Sequence, residues 1–129
     1  MIKEPLKQAF KELKPQLAGD LYFSEDSLDR TILMAYSTDA SVYQEYPLGV
    51  ALPKNKSDIA TLIRFSKTHK IPLIPRTAGT SLAGQVVGQG LIVDSSRYMN
   101  RLLEVNKEEK WARVEPGLER DVLNELLAP

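Results

Sequence analysis

Apolar positions recur along this chain with two different spacings, and the switches between them divide it into elements. From Pro5, the residues Leu6, Phe10, Leu13 and Leu17 fall near a 3.6-residue period and predict an amphipathic helix. Pro5 suits a first helical turn, and Pro15 followed by Gly19-Asp20 predicts a stop or kink. Leu28, Ile32, Leu33 and Tyr36 form a second short stripe, with Asp26 or Ser27 as its cap. The polar stretch Ser37-Thr38-Asp39-Ala40-Ser41 breaks the pattern. The short run Leu48-Gly49-Val50-Ala51-Leu52-Pro53 then fits a buried strand.

A helix capped by Ser57 is predicted to run to about Lys70, with Ile59, Leu62 and Ile63 on one face. Ile71-Pro72-Leu73-Ile74-Pro75 is a second strand. Strand, helix, strand is a βαβ unit, so the two strands should be parallel. Pro72 cannot donate to a ladder, which suggests that this strand is near an edge or irregular there. A third strand is expected at Leu91–Asp94. Leu102–Val105 and Trp111–Glu115 flank the polar turn Asn106–Lys110 as a hairpin, closed by Pro116-Gly117. Val122, Leu123, Leu126 and Leu127 make a last helical stripe, and the stop at Pro129 just after it reads as an interruption of a domain. The fold class is α/β (with α+β character): a small, partly parallel sheet with surrounding helices. Residues 1–35 are expected to form a helical N-terminal extension, and residues 36–129 the domain proper.

Composition narrows the chemistry. The 129 residues include 17 basic and 17 acidic side chains, a balance that argues against a nucleic-acid partner. There is no cysteine, which excludes disulfides, thiolate metal sites and iron–sulfur ligands within this chain, and a single histidine excludes a His-rich metal centre. No apolar run approaches the ~20 residues of a membrane span. Met1-Ile2-Lys3-Glu4-Pro5 lacks the apolar stretch of a signal peptide. A cytoplasmic chain without an integral membrane segment is the expectation.

Candidate chemistry concentrates in the segment Arg76–Gly90, which holds four of the seven glycines and follows a predicted parallel strand. Small residues there let a ligand approach the backbone, and successive N–H groups can form an anion-binding concavity. Arg76 can donate paired hydrogen bonds to phosphate, and Thr77, Thr80 and Ser81 add hydroxyls. The same pattern also fits a turn-rich connection with Arg76 in a surface ion pair. Two familiar motifs are absent. Gly79 and Gly84 have the Walker spacing, but Gln85 and Val86 stand where Lys and Ser/Thr are needed. The glycine order Gly84, Gly88, Gly90 does not make the Rossmann fingerprint. His69 is expected to meet the last carbonyls of its helix, and Trp111 to pack in the hairpin. Asp39, Ser41 and Tyr43 precede the first strand, where a loop could cap, pack or approach a ligand.

The stretches Tyr36–Tyr43, Pro47–Val50, Pro75–Gln85, Arg97–Asn100 and Glu115–Gly117, in that order, resemble the FAD-linked oxidases, whose flavin-binding fold is that of vanillyl-alcohol oxidase and p-cresol methylhydroxylase. The likeness is nearest to the bacterial flavin and iron–sulfur dehydrogenases of D-2-hydroxy acids, of the D-lactate, glycolate and D-2-hydroxyglutarate type. The resemblance implies the N-terminal part of a PCMH-type FAD-binding domain. It assigns Arg76, Thr77, Ala78, Gly79, Thr80 and Ser81 to the FAD pyrophosphate, and Leu82, Gly84 and Gln85 to the path toward the flavin. Pro53, Pro116 and Gly117 would line the groove. Thr77-Ala78 replaces the Gly-Gly frequent in the family. Some relatives carry a histidine linked covalently to FAD where this chain has Thr80, so the FAD implied here is non-covalent. Substrate-binding, proton-abstracting and iron–sulfur segments would lie in regions outside this chain. The implied activity is oxidation of a small 2-hydroxy acid by the larger enzyme, with this chain catalytically inert alone and with no catalytic or metal-binding residue of its own. Residues alone also fit a stand-alone nucleotide- or phosphate-binding module, or an interaction domain whose loop binds nothing.

Overall fold

The computed structural model describes residues 3–128; Met1 and Ile2 of the N-terminal stretch, and the terminal Pro129, lie outside the described residues. Helix α1 spans Glu4–Leu13 with Pro5 in its first turn, and buries Phe10 and Leu13. It tightens into a 3-10 turn at Lys14–Gln16, where Pro15 has no N–H to continue an α-helix. A short strand β1 follows at Asp20–Tyr22, then helix α2 at Ser27–Ala35. The Asp26 side chain caps α2 by accepting from the Asp29 amide. Strand β2 is Gly49–Leu52, helix α3 Lys56–His69, β3 Leu73–Arg76 and β4 Leu91–Asp94. A separate hairpin of β5, Leu102–Asn106, and β6, Trp111–Val114, leads to helix α4 at Arg120–Leu127.

Three expectations are corrected here. The α3 cap is Asn55, whose side chain accepts from the Asp58 amide, and Ser57 lies inside the first turn. His69 packs its ring 4.4 Å from that of Phe65. The first 35 residues are not helical throughout, because β1 pairs antiparallel with β2, Leu21 opposite Ala51.

The four-stranded sheet has the order β1-β2-β4-β3. β4 pairs in parallel with both β2 and β3, so the two strands of the βαβ unit are parallel but separated by β4. β3 is an edge strand; Pro72 stands just before it and Pro75 lies within it, where an edge tolerates a missing N–H. β2 and β4 are buried along their whole length, which explains their unbroken apolar runs. Alternate side chains supply two cores. Ala51, Leu91 and Val93 face Phe10, Leu13, Leu62 and Phe65 of α1 and α3, while Val50, Leu52 and Ile92 face Leu33 and Tyr36 on the other side. The Phe10 ring stacks 5.3 Å from Phe23 and lies tilted 5.0 Å from Phe65, so the N-terminal helix is part of the main core. The carboxyl ends of β2, β3 and β4 all emerge at the same end of the sheet.

Candidate functional site

β3 and β4 end side by side at Arg76 and Asp94, and the Ser95 amide donates to the Arg76 carbonyl at 3.1 Å. The glycine-rich connection leaves from this point. Among the described residues, no backbone N–H from Thr77 through Leu82 donates to another protein group; the next donors along the loop are Ala83 and Gln85, both to Ser81 Oγ. A run of N–H groups left unmade at the carboxyl end of parallel strands is a concavity suited to an anion. Gly79 has a φ of +68°, a conformation that favours glycine, and a Cβ placed there would stand 2.5 Å from Arg76 Nη2 and displace the guanidinium. A cleft of about 270 Å³ opens here, lined by Thr77, Gly79, Thr80 and Ser81 on one side and by Ser95 and Pro116 among the rest. Typical enclosed ligand sites run to ~300–1,000 Å³, so this cleft suits part of a large ligand or one small anion.

A second loop shapes the first. The Ala40 amide donates to the Gly79 carbonyl at 3.1 Å. Gly84, at a φ of +70°, lies against the Tyr43 ring, where a Cβ would come within 2.6 Å of Cδ2. Asp39 Oδ1 accepts from the Ser41 amide at 2.9 Å, and Ser41 with the nearby Arg76 charge holds the Asp39 carboxyl below the usual carboxylate range. Arg76 Nη1 donates to the Thr38 carbonyl at 2.8 Å, and its guanidinium lies 5.0 Å from the centre of the Tyr36 ring. Burial and the bond to Asp94 push the Tyr36 hydroxyl well above the ordinary phenol range, so it stays a donor.

The residues expected in the site are therefore distributed unevenly. Arg76, Thr77, Gly79, Thr80, Ser81 and Pro116 surround one cleft. Ser81 is turned inward on its own loop, bonded to Gln85, which is not among the cleft-lining residues. Leu82 is 82% exposed and Ala78 is exposed, while Pro53 is fully buried behind the end of β2. Gly117 donates to the Met99 carbonyl and packs on the turn after β4. Pro116 also borders a neighbouring cleft of about 600 Å³ that starts at Asn55, Lys56 and Ser57. Ser95 and Val86 line the first cleft without having been expected there. Ser95, a polar residue straight after the buried strand that ends at Asp94, carried its own signal; nothing local marks Val86.

A partly parallel α/β sheet with an unpaired glycine loop at its carboxyl end places a candidate anion-binding loop where ligands of such sheets bind. The comparisons with known proteins sharpen that reading. The family described as FAD binding domain matches residues 47–129, and the chain belongs to that family. It is 42% identical over 99 residues to D-2-hydroxyglutarate dehydrogenase of Escherichia coli, covering 74% of this chain and 10% of that protein. It is 33% identical over 110 residues to glycolate oxidase subunit GlcD of Bacillus subtilis, covering 84% of this chain and 23% of the relative. It is 30% identical over 132 residues to the mitochondrial cytochrome D-lactate dehydrogenase of Kluyveromyces lactis, covering 97% and 23%. The chain thus spans between a tenth and a quarter of the length of these relatives. Its fold matches p-cresol methylhydroxylase with a TM-score of 0.79 at 18% identity, over 98% of this chain and 25% of that one. Alkyldihydroxyacetonephosphate synthase matches with a TM-score of 0.78 at 18% identity, over 98% and 26%. The expected PCMH-type fold is the one observed. Among the described residues, no helix is long and apolar enough to cross a membrane.

Proposed function

We propose that this chain supplies the pyrophosphate-binding part of a non-covalent FAD site in an oxidoreductase acting on a small 2-hydroxy acid of the D-2-hydroxyglutarate, D-lactate or glycolate class. The observation that carries the reading is the run of unmade N–H groups from Thr77 to Ser81 around the cleft at the ends of β3 and β4. These donors, with the hydroxyls of Thr77 and Thr80, suit the two negative charges of a pyrophosphate. The fit is further supported by Gly79, whose missing Cβ lets the loop lie flat against Arg76. Leu82, Gly84 and Gln85 would carry the cradle toward the flavin, and Pro53, Pro116 and Gly117 would frame the groove from behind.

Bound FAD supplies the acceptor for the hydride that leaves the α-carbon of a 2-hydroxy acid. The chain's own share is to hold and orient the cofactor. The small cleft volume favours a division of the site, with these residues holding the diphosphate and other segments enclosing the flavin ring.

The test is titration with FAD, ADP and riboflavin of the protein as its gene encodes it, followed by calorimetry and flavin fluorescence. The reading expects FAD and ADP to compete, and Gly79→Ala to weaken both. FAD binding that ADP does not compete with, or that Gly79→Ala leaves unchanged, would sink the pyrophosphate assignment. Turnover assays with D-2-hydroxyglutarate, D-lactate and glycolate, using an artificial electron acceptor, decide the substrate class. ADP binding with no added affinity for FAD would instead support a nucleotide module without redox chemistry.

A further inference from the structure

Arg76 lines the cleft, yet the Nη1 arm of its guanidinium is committed to the protein. Nη1 donates to the Thr38 carbonyl at 2.8 Å, with the carbonyls of Tyr36 and Val86 at 3.4 and 3.5 Å. The guanidinium also packs on the Tyr36 ring, which is pinned by its hydroxyl to the buried Asp94 carboxylate at 2.6 Å. Gly79 closes against the group so tightly that a Cβ would stand 2.5 Å from Nη2 and 3.0 Å from Cζ. The Gly79 carbonyl in turn accepts from the Ala40 amide. One side chain therefore ties together the 36–40 loop, the start of the glycine loop and the far end of that loop at Val86. A planar, weakly hydrated fork can stack and donate in this way, and a lysine ammonium cannot reproduce it.

We infer that Arg76 is a positioning residue: it sets the shape of the Thr77–Ser81 cradle through carbonyls and Tyr36, and does not itself ligate the diphosphate. This rests on the FAD reading above for its ligand, but the clamp can be read without any ligand.

The experiment compares wild type with Arg76→Ala and Arg76→Lys in the protein as its gene encodes it. FAD affinity is measured by flavin fluorescence across a range of salt, and amide exchange is followed at Ala40 and Ser95 without ligand. Both variants should weaken FAD binding by about tenfold, the cost of losing one well-made charged hydrogen bond and its packing. The slope of log Kd against log salt should match the wild type, because no ligand-contacting charge has been removed. Exchange at Ala40 should speed up in both variants. Wild-type affinity in Arg76→Lys, or a shallower salt slope in Arg76→Ala, would show a direct charge contact and overturn the inference. Should wild type bind no FAD, the FAD reading fails by itself. Exchange then still decides the clamp: unchanged protection of Ala40 in Arg76→Lys would overturn it. The lysine variant keeps the experiment decisive if the alanine variant does not fold.

Discussion

The Tyr36 hydroxyl donates to Asp94 Oδ2 at 2.6 Å, joining the end of α2 to the carboxyl end of the buried strand β4. Asp94 is 5% exposed, and its other oxygen accepts from the amide and hydroxyl of Ser96. Removing the phenol oxygen leaves a buried acceptor short of a donor. Tyr36→Phe should therefore cost about 1–2 kcal/mol, read from urea unfolding. Tyr36→Ala also removes the ring beneath Arg76 and should cost about 3–5 kcal/mol. Equal costs would mean that the ring contributes nothing to holding the loop.

Asp58 gives the largest expected polar effect. Its carboxylate, 3% exposed, accepts from the amides of Ala18, Gly19 and Lys54 at 2.9, 3.0 and 2.9 Å. It thereby fastens the entry to β1 onto the start of α3. Each buried donor left without an acceptor costs about 1–3 kcal/mol, so Asp58→Ala should lose about 3 kcal/mol or more. Exchange at Leu21 should rise in parallel as β1 loosens. A loss under about 1 kcal/mol would show that water replaces the carboxylate at little cost.

Local signals account for most of this fold and stop where long-range geometry takes over. The runs Val50–Leu52 and Leu91–Val93 announce buried strands because both faces are covered, and Pro72 signals an edge or an irregular strand because it cannot donate. β1 carries no such mark. Three residues beginning with Asp20 are too few to show a period, and the strand exists through pairing with β2 and through Asp58, 39 residues from Gly19. The βαβ pattern specifies strand direction but not that β4 inserts between β2 and β3. The glycine loop was legible as a candidate site because four glycines follow a strand. Its partner loop at Asp39 and Tyr43 was legible as a loop that could cap, pack or approach a ligand but not as a contact of Gly79 and Gly84, and the bond of Arg76 to Thr38 spans 38 residues. No periodicity encodes that contact.

The two glycines at positive φ separate loop shape from ligand contact. Gly84→Ala must strain the backbone and push into the Tyr43 ring. Strain of this kind costs about 1–3 kcal/mol. Part of that cost comes from the ring, so Tyr43→Ala combined with Gly84→Ala should lose less than the sum of the single changes. Additive losses in thermal unfolding would assign the whole effect to φ.

Glu115 supplies a pH-dependent term at the base of the hairpin. Its Oε2 accepts from the Arg101 amide and Nε at 3.0 and 3.1 Å, and its Oε1 from Nη2 at 2.9 Å. The hydrogen bonds from Arg101 hold the Glu115 carboxyl below the usual carboxylate range. A carboxylate with a lowered folded pKa adds stability above its unfolded value, ~4.3, and that stability is lost as pH falls through the folded value. The difference in urea midpoint between wild type and Glu115→Gln should therefore be constant from pH 8 to about pH 5. It should shrink steadily below that, as the wild-type side chain takes up its proton. Asp26 and Asp39 are also held low and add their own acid loss to both proteins, so only the difference isolates Glu115. A difference that stays flat down to pH 2 would show that Arg101 and Glu115 are not coupled in solution. Since Pro116 follows directly and lines the cleft, the same titration repeated with saturating FAD tests whether this ion pair also holds the groove wall in place.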